Sequence, residues 1–304
     1  MTDTSEPGGQ RPGDTSVSLS FEFFPPQSTE ATLQLWRSVE RLAPLGPKFV
    51  SVTYGAGGTT RARTKAAIRT IQDRARLPVA GHLTCVGATQ AETMEVAQAY
   101  RAIGVRRIVA LRGDPPKGSG AFVPHPGGFD RSEDLVAALV EEGFGVTVSA
   151  YPETHPEAVS PEADIEALGR KVAVGADRAI TQFFFDAEHF LRYRDRVAAA
   201  GIDVDIVPGI LPIENFERMA RFAKACGTSV PDWMASAFGN AQTEEERGLL
   251  ATAIATEMCD QLIAAGCAHL HFYTLNKPDL TYNIARALGC APAPFAMAAQ
   301  GGVA

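Results

Sequence analysis

The sequence predicts an α/β protein built as a single (β/α)8 TIM barrel with one extra helix at its C-terminal end. Three observations lead to this prediction. Short β-branched or aromatic runs alternate with longer amphipathic stretches from residue 16 onward, which is typical of parallel βαβ units. The alternation repeats eight times, which favours a closed barrel over an open sheet. The chain has 304 residues, a length that α/β barrels reach without dividing into domains.

The predicted strands share a β-branched and aromatic composition, and they cover residues 16–24, 48–54, 79–86, 107–112, 146–151, 179–185, 204–211 and 269–275. The predicted helices share apolar residues at helical spacing, and they lie near residues 30–43, 61–75, 90–103, 132–142, 161–174, 187–200, 214–226, 243–265 and 278–288. In the helix over 187–200, Phe190, Tyr193 and Val197 fall on one face and are predicted to be core.

Capping residues support the helix boundaries. Ser160 before Pro161 is typical of an N-cap followed by proline at the first helical position. Glycine follows several helices where a left-handed residue is expected, as at Gly143 and Gly175. Residues 1–15 are polar, with little to bury, so we expect a disordered tail ahead of one barrel domain over 16–304.

Composition and missing motifs exclude several classes of protein. The formal net charge of −7 argues against a nucleic-acid binder. No run of 18 apolar residues and no apolar leader occurs, so we expect neither a membrane span nor a secretory signal. Five cysteines without a CxxC pair argue against a disulfide framework and favour the cytoplasm. Neither the cysteines nor the histidines have the spacing of metal ligands. Without a P-loop or a GxGxxG after the first strand, a dinucleotide would be bound by barrel loops.

Polar or ionisable side chains stand at the ends of most predicted strands, amid apolar neighbours. They are Glu22, Thr53, His82, Asp114, Tyr151, Gln182 and Asn276. Any one of them could be a satisfied structural group. Because active sites of barrels are assembled at the C-terminal ends of the strands, the set together predicts the lining of a single pocket.

Glu22 is the candidate general acid of this pocket. Period-two alternation in the first strand turns Ser18, Ser20 and Glu22 into the barrel and Leu19 and its outward neighbours toward the helices. Burial at the barrel mouth would raise the pKa of the carboxyl group, as a general acid requires. The alternative is a carboxylate that bonds to a neighbouring strand.

The fourth strand ends in A-L-R-G-D-P-P, which delivers Arg112 and Asp114 across a glycine. Gly113 lets the backbone approach a ligand closely. A negative Asp114 at the mouth could stabilise a cation that forms on the substrate.

The segment after the fifth strand offers ring surfaces and charge. Tyr151 and His155 could stack on a ligand and donate hydrogen bonds to it. The next helix carries Asp164, Arg170 and Lys171. The two cations suit phosphate oxygens. A solvated helix face is the alternative for them. On the eighth strand, His271 is expected to be core or rim rather than a metal ligand.

Eight motifs in order resemble methylenetetrahydrofolate reductase of the bacterial type, over roughly residues 16–290. They are F-E-F-F-P-P at 21–26, F-V-S-V-T-Y-G at 49–55, H-L-T-C at 82–85, A-L-R-G-D at 110–114, Y-P-E-T-H-P-E at 151–157, I-T-Q-F-F-F-D at 180–186, P-G-I-L-P at 208–212 and H-F-Y-T-L-N at 271–276. The resemblance implies bound FAD, a ping-pong cycle, and reduction of 5,10-methylenetetrahydrofolate to 5-methyltetrahydrofolate by NAD(P)H. It also implies a catalytic barrel without the regulatory domain of eukaryotic enzymes, and a homo-oligomer.

The resemblance assigns roles to matching positions. Glu22 matches the general acid that opens the imidazolidine ring of the folate, and Asp114 matches the carboxylate that stabilises the resulting iminium and lies near the flavin. Gln182 matches a pterin contact, and Phe222 matches the aromatic residue that stacks on folate or nicotinamide nucleotide. The positions that match FAD contacts are Thr53, His82, Arg112, Gly113, Tyr151, His155, Asp164, Arg170 and Lys171, and Thr53 is also expected near substrate.

The chain departs from the family pattern at a few positions. Arg131 and Ser132 stand where a Tyr-Ala pair often contacts FAD, and Ala167 replaces an asparagine, so details of adenosine binding differ. Arg218 aligns with a glutamine and Lys277 with an arginine, and both are expected to contact substrate.

Two other functions remain as alternatives. A barrel flavoenzyme such as a proline dehydrogenase would need an arginine cluster on the eighth-strand segment, and the sequence has none there. A flavin- or folate-binding subunit without turnover would have no need of Glu22 and Asp114.

Overall fold

The structure is a computed structural model that describes residues 17–54, 61–113 and 122–295. The predicted tail over 1–15 and the candidate Asp114 lie outside these residues. The strands are β1 (Ser18–Phe23), β2 (Phe49–Val52), β3 (Val79–Thr84), β4 (Arg107–Leu111), β5 (Gly145–Ala150), β6 (Arg178–Thr181), β7 (Asp205–Val207), β8 (Gly209–Ile210) and β9 (His269–Tyr273).

Helices follow the strands around the sheet. Within the described residues they are α1 (Thr29–Leu42), α2 (Arg61–Ala75), α3 (Gln90–Ala102), α4 (Ser132–Glu141), α5 (Pro161–Ala173), α6 (Ala187–Ala199), α7 (Phe216–Cys226), α8 (Asp232–Asn240), α9 (Glu244–Ala264) and α10 (Pro278–Ala287). None of these helices is both long and apolar enough to cross a lipid bilayer.

The strands form one parallel sheet that is nearly closed into a barrel, which confirms the predicted fold class. Its order is β7-β6-β5-β4-β3-β2-β1-β9-β8. The two end strands, β7 and β8, are consecutive in the chain and separated only by Pro208. The predicted single strand over 204–211 is wrong at this point, because proline has no N–H to donate to a ladder.

The two faces of β1 agree with the period-two prediction. Leu19, Phe21 and Phe23 are buried in the large apolar cluster between sheet and helices, together with Leu35 and Val39 of α1. Ser20 points the other way, into the barrel, where it is hydrogen-bonded to side chains of β9. A small, separate apolar cluster consists of Phe49, Ala80, Val109, Ile180 and Val207.

Helix boundaries follow the predicted caps, with one helix missed. The Ser160 hydroxyl accepts a hydrogen bond from Ala163 N at 3.2 Å, and Pro161 opens α5. The sequence did not predict α8. Its Met234 and Phe238 lie in an apolar cluster that also contains residues of α7 and α9, so tertiary packing stabilises this short segment.

The turn after β9 is tied to the end of β1. Asn276 is buried with a φ of 55°, its Oδ1 accepts from Phe24 N at 2.9 Å, and its Nδ2 donates to Phe24 O at 3.0 Å. Thr274 Oγ1 donates to Glu22 O at 2.6 Å. The amide of Asn276, predicted to line the pocket, is therefore engaged with the backbone beside Glu22.

Asn276→Ala should lower the free energy of unfolding by about 2–4 kcal/mol. It removes two hydrogen bonds to the backbone of Phe24 and leaves alanine at a positive φ. Urea unfolding followed by circular dichroism measures the loss. The matched control is Asn283→Ala on the exposed face of α10, which should stay within about 0.5 kcal/mol of wild type. Equal stability of the two variants would contradict this account of the turn.

Candidate active site

Glu22 lies at the C-terminal end of β1 with its side chain only 15% exposed. Its Oε2 is 3.4 Å from His82 Nε2 on β3 and 3.9 Å from His271 Nε2 on β9. Both imidazole nitrogens are buried without a hydrogen-bond partner among the described residues. The carboxyl group thus lies between two imidazoles, and among the described residues it makes no hydrogen bond to a neighbouring strand.

Burial sets the protonation of this cluster. It raises the pKa of the Glu22 carboxyl, and the His82 imidazole opposes the shift. Burial also lowers the pKa of His82, and it lowers the pKa of His271 to about 3. Near neutral pH both imidazoles are neutral, and the carboxyl is shifted toward its protonated form. A carboxyl in that form can act as a general acid.

A cleft of about 640 Å³ opens where β3, β4 and β5 end, and it is called the β3–β5 cleft below. Most of the predicted cofactor residues line it. They are Arg112, Gly113, Arg131, Ser132, Tyr151, His155, Asp164, Arg170 and Lys171. Thr53 and His82 lie outside its lining, and Asp114 lies outside the described residues. The tertiary structure thus brings together residues from four separate segments of the chain.

Backbone and rings shape the β3–β5 cleft. Gly113 has a φ of 85°, and a Cβ atom there would lie 2.9 Å from Thr84 Cβ, so only glycine fits against the end of β3. The Tyr151 and His155 rings meet edge to face with centroids 4.6 Å apart. His155 N donates to Asp164 Oδ2 at 3.1 Å, which fixes the loop to α5.

Cations in the cleft differ in how they are paired. Arg112 is hydrogen-bonded to Glu157, and Arg170 Nε lies 3.0 Å from Glu133 Oε1. Lys171 is 8% exposed and donates to Ser149 O at 2.9 Å, with no salt bridge within 4 Å among the described residues. Burial lowers the pKa of Lys171 to about 8. The alternative of a solvated helix face is therefore wrong for Lys171.

The predicted substrate residues lie outside the cleft lining. Phe222 on α7 is 47% exposed and stacks on Phe183 with ring centroids 5.3 Å apart. Arg218 is exposed one turn before it, and Gln182 directly precedes Phe183. Lys277 Nζ lies 3.5 Å from Glu214 Oε2. Thr53 follows β2, where its N–H donates to Phe23 O at 3.0 Å. An exposed aromatic surface with nearby polar groups suits a flat, polar-edged ligand.

The sequence did not predict that His271 of β9 lies beside Glu22 or that Tyr273 packs against His271. His271 is fully buried beside Glu22, and the Tyr273 hydroxyl donates to Thr181 O at 2.6 Å while its ring meets His271 edge to face. The signal was present in H-L-H-F-Y, because period-two alternation turns His269, His271 and Tyr273 to the same face.

Comparison with known proteins decides the family. The sequence model of the family described as methylenetetrahydrofolate reductase matches residues 9–289. The chain belongs to the methylenetetrahydrofolate reductase family. A 5,10-methylenetetrahydrofolate reductase of Pectobacterium carotovorum is 47% identical over 278 residues, which cover 91% of this chain and 91% of the relative. One from Escherichia coli K12 is 48% identical, with 91% and 92% covered.

A more distant relative carries the same family name, and one solved structure has a similar fold. Methylenetetrahydrofolate reductase (NADH) 1 of Zea mays is 35% identical over 91% of this chain and 49% of the plant protein. A solved structure of an uncharacterized protein from Clostridium thermocellum, described as binding two copies of 5-methyl-5,6,7,8-tetrahydrofolic acid, has a TM-score of 0.57 at 14% identity. It covers 90% of this chain and 95% of that one, and it shows the likeness of fold alone.

Membership in the methylenetetrahydrofolate reductase family confirms the resemblance drawn from the eight motifs. It makes the chain an oxidoreductase of folate chemistry. The proline dehydrogenase alternative is thereby set aside. The roles of individual residues stay predictions.

Proposed function

We propose that the chain uses FAD to pass a hydride from NAD(P)H to 5,10-methylenetetrahydrofolate in a ping-pong cycle, which yields 5-methyltetrahydrofolate. The observation that carries the proposal is the buried carboxyl of Glu22, with its raised pKa, at the mouth of a barrel of this family. Folate reduction needs such an acid, because a carbon–nitrogen bond of the substrate has to open before the hydride can be accepted.

The β3–β5 cleft is the proposed FAD site. When bound, FAD supplies two-electron hydride chemistry that no amino-acid side chain offers. The volume of about 640 Å³ lies within the range of ~300–1,000 Å³ usual for ligand sites. Lys171 and Arg170 offer charge for the diphosphate, and Gly113 allows close approach of the backbone. Arg131 and Ser132, at the start of α4, are proposed to take the place of the usual Tyr-Ala contacts.

Glu22 carries the proton of the folate step. Its carboxyl protonates the folate nitrogen that leaves the methylene carbon, and the iminium left on the other nitrogen accepts the hydride. Asp114, two positions after Arg112, is proposed to stabilise that cation. Gln182 would bond the pterin edge, Phe222 would stack on the substrate, and Arg218, Lys277 and Thr53 would contact the remaining polar groups. The folate named for the Clostridium thermocellum protein supports a folate ligand on this fold.

The cellular setting is part of the proposal. The protein would be a cytoplasmic homo-oligomer. Its product would supply methyl groups for methionine synthesis.

Absorption spectroscopy tests the proposal. The purified protein should be yellow, release intact FAD on denaturation, and bleach anaerobically with NADH or NADPH. Methylenetetrahydrofolate should then restore the colour as 5-methyltetrahydrofolate forms. A colourless protein that cannot be reconstituted with FAD would overturn the proposal, and a yellow protein that neither NADH nor NADPH bleaches would favour a subunit that only binds flavin.

A further inference from the structure

A chain of buried polar side chains runs through the barrel from Glu22 toward the other end of the strands. Ser20 Oγ is hydrogen-bonded to His271 Nδ1 at 2.7 Å and to His269 Nε2 at 2.9 Å. Ser20 and His271 are fully buried, and His269 is 7% exposed. Among the described residues the Ser20 hydroxyl has no hydrogen-bond partner besides these two imidazoles, so its one proton is donated to one of them and it accepts from the other. The tautomers of the two histidines are therefore coupled.

The far end of the chain decides the direction of these hydrogen bonds. His269 Nδ1 is buried and has no partner among the described residues. Burial lowers the pKa of His269 to about 3, with the positive charges of Lys48 and Arg178 acting in the same direction and Asp205 opposing them. A positive environment favours a lone pair over an N–H at Nδ1, and a buried N–H without an acceptor is rarer than an unpaired acceptor. His269 therefore holds its proton on Nε2.

The rest of the chain follows from that assignment. His269 Nε2–H donates to Ser20 Oγ, and the Ser20 hydroxyl donates to His271 Nδ1. The single proton of neutral His271 then lies on Nε2, which is 3.9 Å from Glu22 Oε2. That distance is about 1 Å longer than an N–H···O hydrogen bond, so a small movement of the carboxylate closes it.

We propose that Ser20 and His269 are positioning residues that hold His271 as its Nε2–H tautomer, with its N–H directed at the carboxyl group of Glu22. The functional consequence rests on the proposed folate reduction. When Glu22 gives its proton to the folate nitrogen, the N–H of His271 stabilises the carboxylate that remains. Burial makes Glu22 a weak acid, and the directed N–H prevents it from becoming too weak to act. His82 on β3 and Tyr273 on β9 are the other titratable groups that face it.

Nuclear magnetic resonance tests the tautomers without any substrate. The chain has six histidines, so 15N-histidine labelling of the holoprotein gives a simple spectrum, and His269→Phe and His271→Phe assign the two buried rings. Both should be neutral and protonated on Nε2 at pH 7. A His271 protonated on Nδ1 overturns the inference, whatever the enzyme does.

The pH profile of the folate half-reaction tests the consequence. Ser20→Ala should slow folate reduction about threefold to tenfold near neutral pH and move the alkaline decline of the rate upward by about 0.5–1 pH unit, because Glu22 becomes a weaker acid. Reduction by NAD(P)H should keep its wild-type rate. If Ser20→Ala does not fold, His269→Phe should shift the profile in the same direction.

Ser51→Ala is the matched control, because Ser51 is also fully buried in the barrel but its hydroxyl has no partner among the described residues. Its profile should match wild type. A loss of rate in Ser20→Ala with an unshifted profile would mean general damage and overturn the positioning role. A wild-type protein that never reduces the folate would instead refute the proposed function and leave the tautomer assignment to the spectrum.

Discussion

Glu22→Gln should slow reduction of methylenetetrahydrofolate by ~10²-fold or more, the usual scale for losing a general acid. Reduction by NAD(P)H should stay within about tenfold of wild type, because hydride transfer from nicotinamide needs no acid at that position. Glutamine keeps the shape of the side chain but has no proton that it can give up. Anaerobic stopped-flow measurement of the two half-reactions separates these effects.

The control for Glu22→Gln is the same substitution at a glutamate away from the barrel mouth. Glu40→Gln alters an exposed carboxylate on α1 and should leave both half-reactions unchanged. Equal losses in both half-reactions of Glu22→Gln would indicate that Glu22 maintains the structure of the mouth and is not the acid.

Lys171→Met should weaken FAD binding by about 10- to 100-fold, the effect of losing one charge-assisted hydrogen bond to a phosphate. Methionine fills similar space without an ammonium, so the fold should be retained, although Ser149 O loses its donor. In the wild type, FAD affinity should fall as pH rises through the lowered pKa of about 8, because the neutral amine no longer attracts phosphate. That pH dependence should be absent from Lys171→Met. Fluorescence titration of the apoprotein with FAD measures both.

Lys65→Met is the matched control, because it removes an exposed ammonium on α2. Its FAD affinity should equal that of wild type. If Lys171→Met binds FAD as tightly as Lys65→Met does, the diphosphate does not lie against α5 and the proposed orientation of the cofactor is wrong.

Local patterns were sufficient for most of the fold. Alternation along β1 separated Ser20 and Glu22 from Leu19, Phe21 and Phe23, because successive side chains of a strand point to opposite faces. The Ser160–Pro161 cap was equally local, since an N-cap bonds to a backbone N–H within its own first turn. The break at Pro208 and helix α8 were missed, because the first depends on ladder partners and the second on packing against α7 and α9.

The candidate site, like the fold, could be predicted from the sequence only in part. Its residue types could be predicted, because polar groups at strand ends of a parallel barrel meet at one rim. The sequence could not predict which of these polar groups contact one another. Only the structure shows that the amide of Asn276 is engaged with Phe24 and that the imidazole of His82 lies 3.4 Å from Glu22. The cofactor contact expected for His82 stays a prediction.

Strand and helix periodicity, caps and motifs all occur within short stretches of chain, so the barrel, the family and the candidate residues of the site could be predicted from the sequence. The protonation and the hydrogen-bond partners of these side chains became known from the folded structure. The pKa values of Glu22 and Lys171 depend on burial by distant segments, and the coupling of His269, Ser20 and His271 joins positions about 250 residues apart. Such properties arise from the low dielectric and the fixed geometry of a packed interior, and neither exists until the chain has folded.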